Sequence, residues 1–424
     1  MDCFTDFQTR GLIHDTTHED AIKEGLSGST TLYCGFDPTA DSLHVGSMVP
    51  LLSLARFQRH GHRPIALAGG ATGLIGDPSG KSDERNLLTP EALRHNVECI
   101  KGQLSAFLDF DHPTHGALLV DNADWLGRYS MLEYLRDIGK HFTVNTMMAK
   151  DSVKSRLTGR DVGISYTEFS YMLLQATDFM HLHKAHGCML QVGGSDQWGN
   201  ITAGIDLTRR MAGATVWGMT FPLITTASGA KLGKTEKGAV WLDPERTSPF
   251  QFYQYFVRTD DRDVVNYLNY FTFLDHETIA GLAQQVEEAP HRREAQKRLA
   301  WKMTQLVHGE AEARSALAGT EMLFGGTIDD ITERDLLAAA EDLPRTEIPE
   351  PFGAERNVLD LVAATSLVSS RGDAKRLLKQ GGVYVNNARR DGGSSQVSPH
   401  SLLFGRYLLL RAGKKNYELV SFSP

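Results

Sequence analysis

The segment His44-Val-Gly-Ser47 lies between two apolar runs, Leu32–Phe36, which ends at Asp37-Pro38, and a longer one through Phe57. Proline is tolerated in the first turn of a helix and not deeper, so Pro50 puts the helix start between His44 and Ser47. Unpaired backbone N–H groups and the positive end of the helix dipole make such a start a phosphate site, and Gly46 lets a ligand come close to the backbone. An ordinary strand-loop-helix crossover with a surface histidine has the same pattern. Lys231 and Lys234 stand three residues apart in a glycine-containing loop, where two ammonium groups could move onto a polyphosphate and off again, although exposed lysine loops are common. On a helical wheel of residues 165–180, Thr167, Tyr171, Gln175 and Asp178 share a side without any lysine or arginine. A solvated face normally carries long charged groups, so this side reads as the lining of a polar pocket, with a plain amphipathic surface helix as the alternative.

The elements that must hold these groups alternate. Strand patterns at Leu32–Phe36, Pro64–Ala68, Ala117–Val120 and Cys188–Val192 are separated by helical ones, and two strands run into glycine-rich turns, Gly69–Gly80 and Gly193–Asn200. That succession predicts a Rossmann-like α/β domain with a parallel sheet and ligands at the carboxyl ends of its strands. Lys81 and Arg85 follow the first turn at a spacing that would put them on one helical face, and the turns themselves carry Asp77, Asp196 and Gln197. Residues of about 125–160 are less regular and read as an insertion or subunit contact. Beyond Ser248-Pro249 the pattern is helical without convincing strands, which predicts an all-α domain.

A chain of 424 residues exceeds one core, and its 41% hydrophobic and 23% charged content is ordinary for a globular protein. The four cysteines form no C-x-x-C pair, which argues against a disulfide framework or zinc site. The N-terminus lacks a signal pattern and no apolar run approaches a membrane span, so the expected location is the cytoplasm, with no membrane or DNA partner. The net charge of -8 conceals a split, because the segment from Arg356 onward holds 11 basic and 4 acidic residues. Within it Arg371, Lys375 and Lys379 recur every four residues on a helix capped at Ser370, a stripe that suits RNA phosphates. The expected boundaries are therefore a catalytic domain at 1–223, a mobile loop and linker at 224–247, a helical domain at 248–320, an acidic linker at 321–355, and a small α+β RNA-binding domain at 356–424.

Five stretches, taken together, resemble the class I tyrosyl-tRNA synthetases of bacterial or organellar type: Tyr33 through Gly46, Gly76-Asp-Pro-Ser-Gly80, Tyr171 through Phe179, Gly193 through Asn200, and Lys231-Leu-Gly-Lys-Thr235. The resemblance implies activation of L-tyrosine by ATP and transfer of the tyrosyl group to tRNA(Tyr). It further implies that Thr39 and His44 stabilise the reacting phosphate, while Lys81, Arg85, Lys231 and Lys234 hold the departing pyrophosphate. Tyr33 and Asp178 would read the phenol, and Asp77, Tyr171 and Gln175 the ammonium group. Gly35, Asp37, Gly46, Ser47, Gly193, Asp196 and Gln197 would line ATP and the adenylate. Magnesium would arrive on ATP rather than in a protein cage, no protein metal site or tight cofactor is implied, and the resemblance carries a homodimer with it. Ser47 stands where such enzymes usually have a second histidine, and Thr177 where an aromatic is often found. A tryptophan-specific relative, or an RNA-binding or splicing-assistance protein without catalysis, are the alternatives.

Overall fold

A computed structural model of the chain describes residues 1–79, 88–150, 153–154, 163–227, 229, 232–235, 238–326, 328, 331–391 and 396–423, with only the backbone for 234–235. Lys81, Arg85 and Lys231 lie outside the described residues, as does the side chain of Lys234. The chain forms two compact units, Met1–Arg246 with Thr259–Leu299, and Thr247–Arg258 with Ala300–Pro424.

In the first unit, strands β1 (Asp15–Thr16), β2 (Thr31–Phe36), β3 (Arg63–Ala68), β4 (Leu118–Asp121), β5 (Leu190–Gly194) and β6 (Trp217–Phe221) make one sheet in the order β1-β6-β5-β2-β3-β4. Only the short edge strand β1 is antiparallel. The inner strands are nearly continuous apolar runs because both faces are covered: Leu32, Tyr33 and Cys34 of β2 and Ile65 to Ala68 of β3 are all buried. From β2 the chain steps outward to β3 and β4, then returns to β5 on the other flank of β2. The topological switch thus falls between β2 and β5, where an open α/β sheet leaves a crevice at its strand ends.

Two helices border that crevice. A 3-10 turn, Val45–Ser47, leads into the helix Met48–Arg59, so Pro50 sits in the first regular turn, as its missing N–H requires. The helix Tyr166–His186 is capped by the Ser165 hydroxyl, which accepts from the Glu168 N–H at 3.3 Å, and stops at Gly187 in the left-handed conformation (φ 65°). Its polar side faces the crevice while Met172, Leu173, Ala176 and Met180 pack with Ile138, Met147 and Leu207. Tyr166, the first residue of this helix, is solvent-exposed.

Two expected boundaries differ. Residues 259–299 belong to the first unit rather than to a helical domain at 248–320, because guanidinium groups of that unit hold their carbonyls. Arg10 donates to the Leu274 carbonyl and Arg56 to that of Thr272, each at 2.8 Å, and Arg59 lies 3.5 Å over the Phe273 ring. The helix Pro249–Val257 instead joins the helix Glu310–Leu323, with the Gln254 amide donating to the Thr320 hydroxyl at 2.6 Å.

Nor is 321–355 only a linker, since it contains the helix Glu333–Ala339 and the strand Arg345–Ile348. This strand pairs in parallel with Asn416–Phe422 at the edge of a five-stranded sheet completed by Tyr407–Ala412, Val383–Val385 and Ala388–Arg390. Its charges hid it: Arg345 and Glu347 point outward while Thr346 and Ile348 are half-buried. Buried Glu418 ties the edge, accepting from the Thr346 hydroxyl at 2.5 Å and the Ser366 N–H at 2.9 Å.

Candidate active site

At the crevice, β2 delivers Tyr33 and, just past its end, Asp37. Tyr33 is 1% exposed, yet among the described residues its hydroxyl has no hydrogen-bond partner. A buried polar atom without a partner costs roughly 1–3 kcal/mol, a cost that a ligand hydroxyl meeting Tyr33 would offset. Burial, and then the charge of Asp178, hold the Tyr33 phenol well above its ordinary pKa, so it stays a neutral donor. Asp178 is 2% exposed and accepts from the Asn122 amide at 3.0 Å and the Trp125 indole N–H at 2.8 Å. Burial pushes its carboxyl up to about 8 against the pull of those two donors.

Asn122 also donates to the Thr72 hydroxyl at 3.0 Å and accepts from the Ala71 N–H at 2.7 Å, while Thr72 donates to Asp37 at 2.7 Å. The Tyr171 hydroxyl donates to the other oxygen of Asp37 at 2.8 Å. One chain of hydrogen bonds therefore runs from Trp125 through Asp178, Asn122, Thr72 and Asp37 to Tyr171, and it links β2, the exits of β3 and β4, and the helix Tyr166–His186. The spacing of Tyr171, Gln175 and Asp178 at i, i+4 and i+7 puts all three on this side, as the wheel predicts.

A second cluster sits at the mouth of β5. Gln175 donates to Gln197 at 3.1 Å, Gln197 donates to Asp77 at 2.6 Å, and Asn200 reaches the Gln175 carbonyl oxygen at 3.0 Å. Asp77 also accepts from the Ser79 N–H at 3.0 Å. Asp77 thus accepts amide N–H groups on both oxygens, from Gln197 and from Asn200 at 3.4 Å, and as the carboxylate of the cluster it is the group that suits an ammonium. Gln197, expected along the adenylate, belongs to this cluster, and Asp37 holds Tyr171 and Thr72. Gly193 is buried in β5, Asp196 sits in the 3-10 turn that follows, and Gly35 is exposed near the end of β2.

The opposite end is made of backbone. The Gly46 N–H donates to His44 Nδ1 at 2.9 Å, folding the imidazole back over the turn. A Cβ at Gly46 would come within 2.6 Å of that ring, so the glycine is required by His44 as well as by any incoming ligand. Thr39 is exposed, and Ser47, which makes no side-chain cap, stands at the start of the helix Met48–Arg59. The segments on either side of Lys234 are fastened to this turn: His44 bridges Trp241, the Val45 N–H donates to the Val240 carbonyl at 2.9 Å, and Gly233 (φ 77°) packs so close that a Cβ there would lie 3.0 Å from the Gly46 nitrogen. Arg246 stacks 3.7 Å over the Trp241 ring and pairs with Asp41 at 2.5 Å.

The sequence does not mark Asn122, Trp125, Thr72 or Asn200 as site residues by type and spacing. Thr72 and Asn122 follow strand ends, the one signal that marks them. Thr177, the departure inside the substrate helix, is wholly buried and shares a hydrogen bond with the Tyr134 hydroxyl at 3.1 Å, so a phenol reaches that position from another helix. In the second unit, the helix Arg371–Lys379 carries exposed Arg371, Lys375 and Lys379; Arg371 is paired with Asp360 at 2.7 Å.

A family model for class I tRNA synthetases (W and Y) matches residues 26–325, and one for the C-terminal domain of tyrosine–tRNA ligases matches residues 335–420. The Tyrosine–tRNA ligase of Opitutus terrae is 52% identical over 423 residues, 99% of both chains. That of Geobacillus stearothermophilus is 48% identical over the full length of both. Among solved structures, a C-terminally truncated mitochondrial tyrosyl-tRNA synthetase of Aspergillus nidulans is similar with a TM-score of 0.69 and 33% identity, covering 76% of this chain and 94% of its own. A tryptophanyl-tRNA synthetase of Encephalitozoon cuniculi shares the fold, with a TM-score of 0.54 at 14% identity, over 78% of this chain and 89% of its own.

Proposed function

The chain belongs to the class I tRNA synthetases of the tryptophan and tyrosine group and has the activity of a tyrosine–tRNA ligase; from this premise we propose how its residues divide the work. Tyrosine enters with its phenol between Tyr33 and Asp178, donating to the carboxylate and accepting from the Tyr33 hydroxyl. Its ammonium group lies against Asp77, Tyr171 and Gln175, with Gln197 and Asn200 holding Asp77 in place. The tyrosine carboxylate is already a competent nucleophile, so the protein supplies orientation and charge stabilisation. A carboxylate oxygen attacks the α-phosphorus of ATP, the new oxygen–phosphorus bond replaces the α–β bridging bond, and pyrophosphate leaves with the bond pair. His44 and Thr39 face the phosphate in transition, with Gly46 and Ser47 beside it. Lys81, Arg85, Lys231 and Lys234 take the pyrophosphate, while Gly35, Asp37, Gly193 and Asp196 line the adenylate. The tyrosyl group then passes to the terminal adenosine of tRNA(Tyr), held in part by Arg371, Lys375 and Lys379.

Magnesium comes as part of the nucleotide substrate, and the site of action is the cytoplasm. A homodimer is supported by the crowding of exposed apolar side chains, Met131, Leu132, Leu135, Val144 and Met148, into one stretch of the first unit. The single observation that carries the specificity is the orphaned Tyr33 hydroxyl in the same buried pocket as the held Asp178 carboxylate. A tryptophan side chain offers no hydroxyl to this pair. Amino-acid-dependent exchange of labelled pyrophosphate into ATP, run with tyrosine, phenylalanine and tryptophan, tests the reading. Exchange with tyrosine is expected; exchange with tryptophan alone would overturn the specificity, and none at all the catalysis.

A further inference from the structure

Asp178 and His181 stand three residues apart on the helix Tyr166–His186, which places them on one face a turn apart. Between them lies a third ring. The Trp125 indole presents its N–H edge to Asp178 at 2.8 Å, and it stacks on the His181 imidazole with centroids 4.3 Å apart and planes 13° from parallel. One helix therefore holds the indole twice, by its edge and by its face.

The second hold matters because the indole is not packed on every side. Trp125 belongs to a helix of four residues, Ala123–Leu126, too short to fix a side chain rigidly. Beside the stack opens a cavity of about 400 Å³, whose wall includes Trp125, His181, Lys101, Asp121, Asp124 and His186. Without the imidazole, the indole has room to turn toward that space and take its N–H off the carboxylate. Burial, helped by the nearby charges of His186 and Arg128, keeps His181 below its ordinary pKa, so the stack is one of neutral rings at neutral pH.

We infer that His181 is a positioning residue for amino-acid selection: its ring clamps Trp125 so that the indole N–H stays on Asp178 and the carboxylate stays aimed at the substrate hydroxyl. This rests on the reading of Asp178 as the phenol acceptor. His181 touches no substrate in that scheme and acts only through the indole. Its loss is then felt by tyrosine and not by phenylalanine, which has no hydroxyl for Asp178 to meet, nor by ATP.

The test is pyrophosphate exchange by the full-length protein and three variants, with kcat and KM measured for tyrosine, phenylalanine and ATP. His181→Ala is expected to raise the KM for tyrosine and to lower the tyrosine-to-phenylalanine ratio of kcat/KM by about two- to tenfold, the range of an aromatic pair. The KM for ATP should be unchanged. His181→Phe, which keeps a flat ring, should restore the ratio, and His181→Leu, which fills the space without one, should not. Should the alanine variant fail to fold, the phenylalanine and leucine variants carry the same comparison. An unaltered ratio in His181→Ala, or equal losses in the phenylalanine and leucine variants, would overturn the clamp. An Asp178→Ala control separates the two ideas: if that variant keeps the wild-type ratio, the reading of Asp178 fails, whatever His181 does.

Discussion

The two ends of the crevice solve opposite problems. At the phenol end, Tyr33, Asp178, Asn122 and Trp125 are all buried and Asn122 and Trp125 both hold the Asp178 carboxyl, so a ligand meets groups already in place. At the phosphate end the contacts come from a glycine turn, an exposed threonine and a histidine folded over its own backbone, joined to a segment that passes Trp241. Selection among amino acids requires fixed geometry, because a hydroxyl is discriminated only by partners that cannot relax when it is missing. A phosphate that changes shape during the reaction is better served by donors at a turn that a neighbouring segment can press on or release.

This contrast can be broken first at His44. Replacing a donor that acts on the transition state typically lowers kcat about 10²- to 10³-fold, so His44→Ala should lose that much in tyrosine activation. Its KM for tyrosine should be unchanged, and a rise of equal size in that KM would mean that the two ends are not separate. A pH titration followed through tyrosine affinity tests the phenol end. An ionised carboxylate accepts the substrate hydroxyl more strongly than a neutral carboxyl does, and burial raises the Asp178 carboxyl to about 8, so the stronger acceptor grows as pH climbs toward that value. Tyrosine affinity should therefore increase from pH 6 to 8, by at most about tenfold per unit, whereas a flat titration would remove the carboxylate from the pocket. Tyr33→Phe comes next: deleting one neutral hydrogen bond to a bound hydroxyl should cut the tyrosine-to-phenylalanine ratio by about tenfold and leave ATP kinetics alone. The smallest effect belongs to Ser47→His, which adds a longer donor at the turn and should lower the KM for ATP by about two- to fivefold; an altered KM for tyrosine would contradict the division.

The sequence exposes these two ends unequally. Turn chemistry is local, so Pro50, Gly46 and His44 disclose the phosphate end within a few residues. The helix of the phenol end shows itself through the absence of charge beside Tyr171, Gln175 and Asp178. Its supports do not, because Asn122 and Trp125 sit in or beside a helix of four residues, too short for any periodicity. The unit boundaries were similarly hidden. A helical pattern such as Asp261–Phe271 tells which face is apolar, yet the partner is chosen by Arg10 and Arg56, more than 200 positions earlier. Arg345–Ile348 has outward charges that imitate a loop in the sequence.

The return of the chain from β4 to β5 has one more consequence, for the order in which the molecule forms. Pairing of Leu32 with Leu190 closes a loop covering much of the first unit, and Tyr33 meets its neighbours on the helix Tyr166–His186 only when that loop is closed. Long-range closures of this kind are slow compared with helices and turns. The hydrogen bond of Gly46 to His44 needs only neighbouring residues, whereas the amino-acid pocket exists only once that loop is closed. Free tyrosine, which recognises only the finished pocket, then draws the folding equilibrium toward the native chain.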